Sequence, residues 1–145
     1  AQKTELERYV ANHGIQNVRF LPYQPIDRLP ETLTCGDASL VGIKPEIEGM
    51  CVSSKLYSSL AAGIPVLAVV GAGDEVARVV EDCECGERVP PGDIERAAEI
   101  IAQWADDPEQ TTRLGENARD CFEAQYTIEH VTTAYTALFD EVVAK

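Results

Sequence analysis

The stretch Lys44 to Val70, KPEIEGMCVSSKLYSSLAAGIPVLAVV, decides the fold. Its last six residues, Pro65 to Val70, are apolar without interruption. A strand with one wet face alternates apolar and polar residues. An unbroken apolar run of this length marks a strand covered on both faces, as in parallel sheets. Just before it, Ser53 to Ala62 has the composition of a helix and ends at Gly63, the residue type that closes helices in a left-handed turn. Ahead of that helix lies a loop with Glu46, Glu48 and Gly49, and ahead of the loop a second apolar run, Ala38 to Ile43. Strand, loop, helix and strand in this order make a parallel β-α-β unit.

The same alternation extends in both directions. Upstream, residues 3 to 13 place Leu6, Tyr9 and Val10 at helical spacing before Gly14. Asn17 to Leu21 is a short β-type run closed by Pro22, and residues 26 to 35 read as a short helix interrupted by Pro30. Downstream, Asp74 is placed to cap a helix running to about Asp82, and Gly86 to Val89 is a further strand. From Asp93 onward the pattern is helical only. Ile94, Ala97, Ala98, Ile101 and Trp104 form one stripe. Pro108 opens a helix to about Ala124, and Thr127 caps a last one with Ile128, Val131, Tyr135, Leu138 and Val142 on one face. The expectation is an α/β, Rossmann-like parallel sheet with a helical C-terminal end. It reads as a single unit over residues 1 to 145, with the α/β part to about residue 92 and helices over 93 to 145.

Bulk properties narrow the function. Lys plus Arg number 12 and Asp plus Glu 25, a formal charge of −13. Phosphate-backbone binding needs clustered cations, so a nucleic-acid surface is not expected. No apolar run approaches the roughly 18 residues of a membrane-spanning helix. Five cysteines, at 35, 51, 83, 85 and 121, are odd in number and fit no disulfide framework, which points to a reducing cytoplasm. Cys83 and Cys85 lack a second pair at zinc-ligand spacing, so no metal site is expected.

The loop and helix start between Lys44 and Lys55 hold the groups best suited to a ligand. In open α/β sheets, ligands bind beyond the carboxyl ends of the strands. A helix start there offers free N–H groups to a phosphate or pyrophosphate. Gly49 allows close backbone approach, and Lys55 adds a cation. Ser54 and Ser58, one turn apart, present hydroxyls to a sugar or ribose, and Glu48 accepts from sugar hydroxyls. The residues alone leave a plainer reading open, in which Ser53 is an N-cap, Lys55 a solvated cation and Glu48 an ordinary loop carboxylate. Gly71-Ala72-Gly73 looks like part of a dinucleotide fingerprint but lacks the third glycine. His13, His130 and the Asp106-Asp107 pair have no catalytic partner and suit helix ends and turns.

Four segments, NVRFLPYQP, ASLVGIKPEIEG, SKLYSSLAAGIPVLAV and CGERVPPGD, together resemble family 4 (group 1) retaining glycosyltransferases of GT-B fold, in the subset that builds exopolysaccharide and O-antigen. The resemblance covers essentially the whole chain and implies the C-terminal, donor-binding domain. It implies that Glu48 contacts the transferred sugar, that the amides of Gly49, Met50, Cys51 and Val52 hold sugar and diphosphate, that Pro22 and Tyr23 flank the nucleobase, and that the Gly71-Ala72-Gly73 loop faces the donor cleft, where it makes a secondary sugar contact. Two departures stand out. The family's ribose-gripping Glu aligns with Ser58, which makes no charge-assisted bond, and the loop is two residues longer than the common version. The resemblance also implies a UDP- or GDP-sugar as donor, retention, independence from metal ions, and a cytoplasmic enzyme peripheral to the inner membrane face. The acceptor domain, the domain's first two strands and an Arg and Lys for the leaving diphosphate are all expected upstream of Ala1, so that the chain is not active alone. A nucleotide-sugar epimerase and a non-catalytic nucleotide-binding or interaction module are the alternatives.

Overall fold

The structure, a computed structural model, describes residues 3–144. Three parallel strands form one sheet in the order β1 (Ser39–Gly42), β2 (Val66–Val69), β3 (Gly86–Val89). With them run α1 (Lys3–Asn12), α2 (Leu29–Leu33), α3 (Ser54–Ala62), α4 (Glu75–Asp82), α5 (Ile94–Asp106), α6 (Pro108–Gln125) and α7 (Ile128–Val143). The uninterrupted apolar run at β2 has the expected cause. Val66, Ala68 and Val70 pack with Leu56 and Leu60 of α3 and with Val76, Val79 and Val80 of α4. On the other face Leu67 packs with Val89, Ile100 and Trp104.

α3 is seated by backbone contact. Gly63 closes the helix at φ 67, and its N–H donates to Leu60 O at 3.0 Å. Gly115, buried in α6, lies so close that a β-carbon there would overlap the Gly63 carbonyl oxygen. The following helices all receive side-chain caps. Asp74, Asp93, Asp107 and Thr127 accept from Val76, Arg96, Gln110 and His130 N–H respectively.

Four expectations require correction. Asn17 to Leu21 forms no strand: it is irregular, since a strand exists by pairing and no described segment pairs with it. Ala38 to Ile43 is not covered on both faces. Val41 is 1% exposed but Leu40 is 55% exposed, because β1 is an edge strand and α5 covers only β2 and β3 on that side. The buried face of α5 is Ala97, Ile100 and Trp104, whereas Ile94, Ala98 and Ile101 face outward. The cysteines do pair: Cys83, at the end of α4, is bonded to Cys121 in α6, 38 residues on. A link of that span contributes on the order of 2–4 kcal/mol. Cys85 stays free and buried, and burial pushes its thiol up to about 11. The apolar stripe of α7 forms as a helix, with none of its residues buried among the described ones.

Replacing Gly115 with Ala tests the α3–α6 contact. Alanine favours an isolated helix by about 1 kcal/mol over glycine, whereas a crowded β-carbon costs about 1–3 kcal/mol. Gly115→Ala is expected to lower stability in a denaturant melt. A more stable variant would contradict the contact.

Candidate functional site

Gly42 and Val69 are register partners, so the loops after β1 and β2 begin side by side at the carboxyl edge of the sheet. The first loop makes a 3-10 turn over Pro45–Ile47, closed by Glu48 N–H donating to Pro45 O at 3.3 Å. Gly49 then takes φ +73 with open space where a β-carbon would stand. That backbone favours glycine. The second loop is Gly71-Ala72-Gly73, fixed by Asp74 N–H donating to Gly71 O at 3.3 Å. The two loops meet through Glu48, whose carboxylate lies against Gly71. A β-carbon built on Gly73 would stand 3.4 Å from its Oε1.

The helix start beside this carboxylate is open. Ser53 occupies the N-cap of α3, but its hydroxyl caps nothing. Among the described residues, the N–H groups of Ser54 and Lys55 have no acceptor. In the stretch Gly49 to Val52, Met50 N–H donates to Ile47 O at 3.1 Å, and the amides of Gly49, Cys51 and Val52 have no acceptor. These unpaired donors, with the positive end of the helix, can hold an anion.

Ser54 and Ser58 do share a face, and the Ser58 hydroxyl donates back to Ser54 O at 3.1 Å. The Lys55 ammonium lies 3.4 Å from Leu40 O, which points away from β2 on the open edge of β1. A lysine there also guards an unpaired strand edge. Pro22 and Tyr23 lie in the irregular segment ahead of α2. Tyr23 is fully exposed and without a hydrogen bond or ring contact among the described residues.

The sequence reading left two details of this edge unseen. One is the seating of Glu48 on Gly71: the resemblance turns the Gly71-Ala72-Gly73 loop toward the donor cleft, but nothing in the sequence pairs Gly71 with Glu48. The other is the burial of Asp74: it caps α4 as expected, its Oδ1 accepting from Val76 N–H at 2.9 Å, but it is only 1% exposed and its Oδ2 is buried without a partner among the described residues. His13 and His130 are held by local bonds to Tyr9 O and the Thr127 hydroxyl, both at 2.8 Å. No group of metal-ligating side chains occurs among the described residues. No helix among the described residues is long and apolar enough to cross a membrane.

A cavity of about 880 Å³ lies elsewhere, lined by Ala38, Gly63, Pro65, Trp104 and Gly115 among others. It sits where β1 and β2 begin, at the opposite end of the sheet from the Glu48 loop. Its size suits a ligand, but strand ends, free N–H groups and Gly49 converge at the other edge.

The open helix start has a stability signature. Ser53→Ala should change stability by less than about 0.5 kcal/mol, because no cap bond is lost. Asp93→Ala should cost about 1 kcal/mol. Chemical denaturation of the two variants compares them directly, and a large loss in Ser53→Ala would contradict an uncapped α3.

The family model for "Glycosyl transferases group 1" matches residues 1–120. The chain is 30% identical over 96 residues to "Probable glycosyltransferase WbjE" of Pseudomonas aeruginosa, covering 63% of this chain and 24% of that protein. It is 27% identical over 118 residues to "MMP alpha-(1->4)-mannosyltransferase" of Mycolicibacterium hassiacum, covering 75% of this chain and 28% of that protein. The chain thus spans about a quarter of the length of these relatives. A parallel α/β sheet, a family match over 120 residues and an open helix start at the sheet's carboxyl edge agree with one another: the chain belongs to the group 1 glycosyl transferases.

Proposed function

We propose that this chain supplies part of the donor site of an enzyme that transfers a sugar from a nucleoside diphosphate sugar to an acceptor in polysaccharide or glycoconjugate synthesis. The observation that carries the reading is the uncapped start of α3 beside the Glu48 carboxylate at the carboxyl edge of the sheet. A diphosphate takes the free N–H groups of Ser54, Lys55, Cys51 and Val52, with the helix dipole behind them. Glu48 accepts from hydroxyls of the sugar. Lys55 leaves Leu40 O for the phosphate, a stronger, charge-assisted partner. Ser58, on the same helix face as Ser54, meets the ribose, and Tyr23 stacks on the base from its exposed position.

The finer parts of the proposal rest on the family. They are a UDP- or GDP-linked donor, retention at the anomeric carbon, and no requirement for a metal ion. Binding of the acceptor and full activity belong to parts of the protein beyond this chain, which by itself transfers no sugar. A cytoplasmic location follows from where nucleotide sugars are made. The Cys83–Cys121 bond does not argue for that compartment.

Calorimetric titration of the chain with UDP, GDP and their glucose and mannose derivatives tests the site. One nucleotide series should bind, and Lys55→Ala should weaken the nucleoside diphosphate about tenfold, the scale of one charge-assisted bond. Glu48→Gln should weaken only the sugar-linked form. If both variants bind like the parent, the donor lies elsewhere.

A further inference from the structure

Gly71 follows β2 at the edge where the donor is proposed to bind, and its backbone does not require glycine. Gly14, Gly49, Gly63 and Gly92 have φ between 62 and 95, but Gly71 is not among the positive-φ residues. An L-residue can adopt its conformation. What a side chain would meet there is Glu48. The three nearest atoms to a β-carbon built on Gly71 are the two carboxylate oxygens and Cδ of Glu48, all of which it would overlap. At Gly73 the one atom within reach is Glu48 Oε1, at 3.4 Å.

The loop is fixed and the carboxylate is not. Gly71 O accepts from Asp74 N–H at 3.3 Å, Val70 N–H donates to Val89 O at 3.1 Å, and the buried Asp74 caps α4 through Val76 N–H at 2.9 Å. Three successive anchors hold the main chain from Val70 to Val76. Glu48 is an exposed side chain at the end of a 3-10 turn and can rotate. A methyl group at position 71 would therefore displace the carboxylate and leave the loop where it is.

We propose that Gly71 is a positioning residue of the donor site: the space left by its missing side chain seats the Glu48 carboxylate and aims it at the sugar of a nucleoside diphosphate sugar. The inference rests on the reading of Glu48 given under the proposed function. It adds that the aim of Glu48 is set by the loop after β2 and not by its own turn. Gly73 completes the rim of the seat and, since its β-carbon would only graze Oε1, tolerates alanine better than Gly71.

The test compares Gly71→Ala, Gly73→Ala, Glu48→Gln and the double variant Gly71→Ala with Glu48→Asp, in the same chain. Three readouts are taken: thermal melting, titration with UDP against UDP-glucose and GDP against GDP-mannose, and the carboxyl carbon resonance of Glu48 by NMR. Gly71→Ala should melt with the parent, bind the nucleoside diphosphate unchanged, and lose about tenfold in affinity for the sugar-linked form, as Glu48→Gln does. The Glu48 carboxyl resonance should move in Gly71→Ala without any ligand. Aspartate at position 48, one methylene shorter, should restore part of the sugar-linked affinity in the double variant. An equal loss for both ligands, or a lowered melting temperature, would make Gly71 merely structural and overturn the proposal. If Glu48→Gln loses the sugar-linked form and Gly71→Ala does not, the site stands and the seat is wrong. If Glu48→Gln and the parent bind alike, the reading of Glu48 fails. The carboxyl resonance then decides the seat by itself, and an unmoved signal in Gly71→Ala overturns it.

Discussion

Val66 to Ala68 turns neither face to water, and the position of the site follows from that constraint. Val66 and Ala68 need the cover of α3 and α4, and Leu67 needs the cover of α5. A chain that places helices on both faces of neighbouring strands must cross over between them, and crossovers return each strand in the same direction. Parallel strands bring all their carboxyl ends to one edge. The pairing of Gly42 with Val69 sets the ends of β1 and β2 level. The Glu48 loop, the Gly71 to Asp74 loop and the start of α3 therefore share that edge by geometry, before any ligand is considered.

α3 is held from its middle to its end and left open at its beginning. Gly63 and Gly115 bring its last turn into backbone contact with α6. The Ser59 hydroxyl donates to Ser39 Oγ at 2.8 Å, which ties the helix to β1. Tyr57 packs edge-on against Tyr126 with ring centroids 4.9 Å apart. Burial in this cluster raises the pKa of both phenols, so they remain neutral. With the helix fixed this way, its free N–H groups point at a constant place and cost little reorganisation when an anion arrives.

Sequence alone carried the elements whose cause is local. β2 was legible from Pro65 to Val70 because cover on two faces writes itself as an unbroken apolar run. The starts of α4 to α7 were legible because Asp74, Asp93, Pro108 and Thr127 act within their own turn. What depended on distant partners was not legible. Asn17 to Leu21 has a strand's composition, but composition does not supply a neighbour. Leu40 reads as buried until one knows that its strand is the edge. On α5 the stripe was read through Ile101, but the direction of the sheet selects its neighbour Ile100, which is buried while Ile101 faces outward. The Cys83–Cys121 bond joins residues 38 apart whose approach is created by α6 packing along α3, which brings Cys121 to the residue that closes α4. Within the site, Glu48, Gly49 and the helix start were visible as a motif. The seat at Gly71 was not, because it exists only once β1 and β2 lie side by side.

The central claim is that the sheet's carboxyl edge, and not the cavity at its other end, receives the nucleotide. Amide chemical-shift mapping of the isotopically labelled chain on addition of UDP or GDP separates the two most directly. The account predicts saturable shifts at Gly49, Cys51, Ser54, Lys55 and Gly71 to Gly73, with Gly63, Ala105 and Gly115 unmoved. Shifts concentrated around Gly63, Ala105 and Gly115 would place the ligand in the cavity beside Trp104 and contradict it.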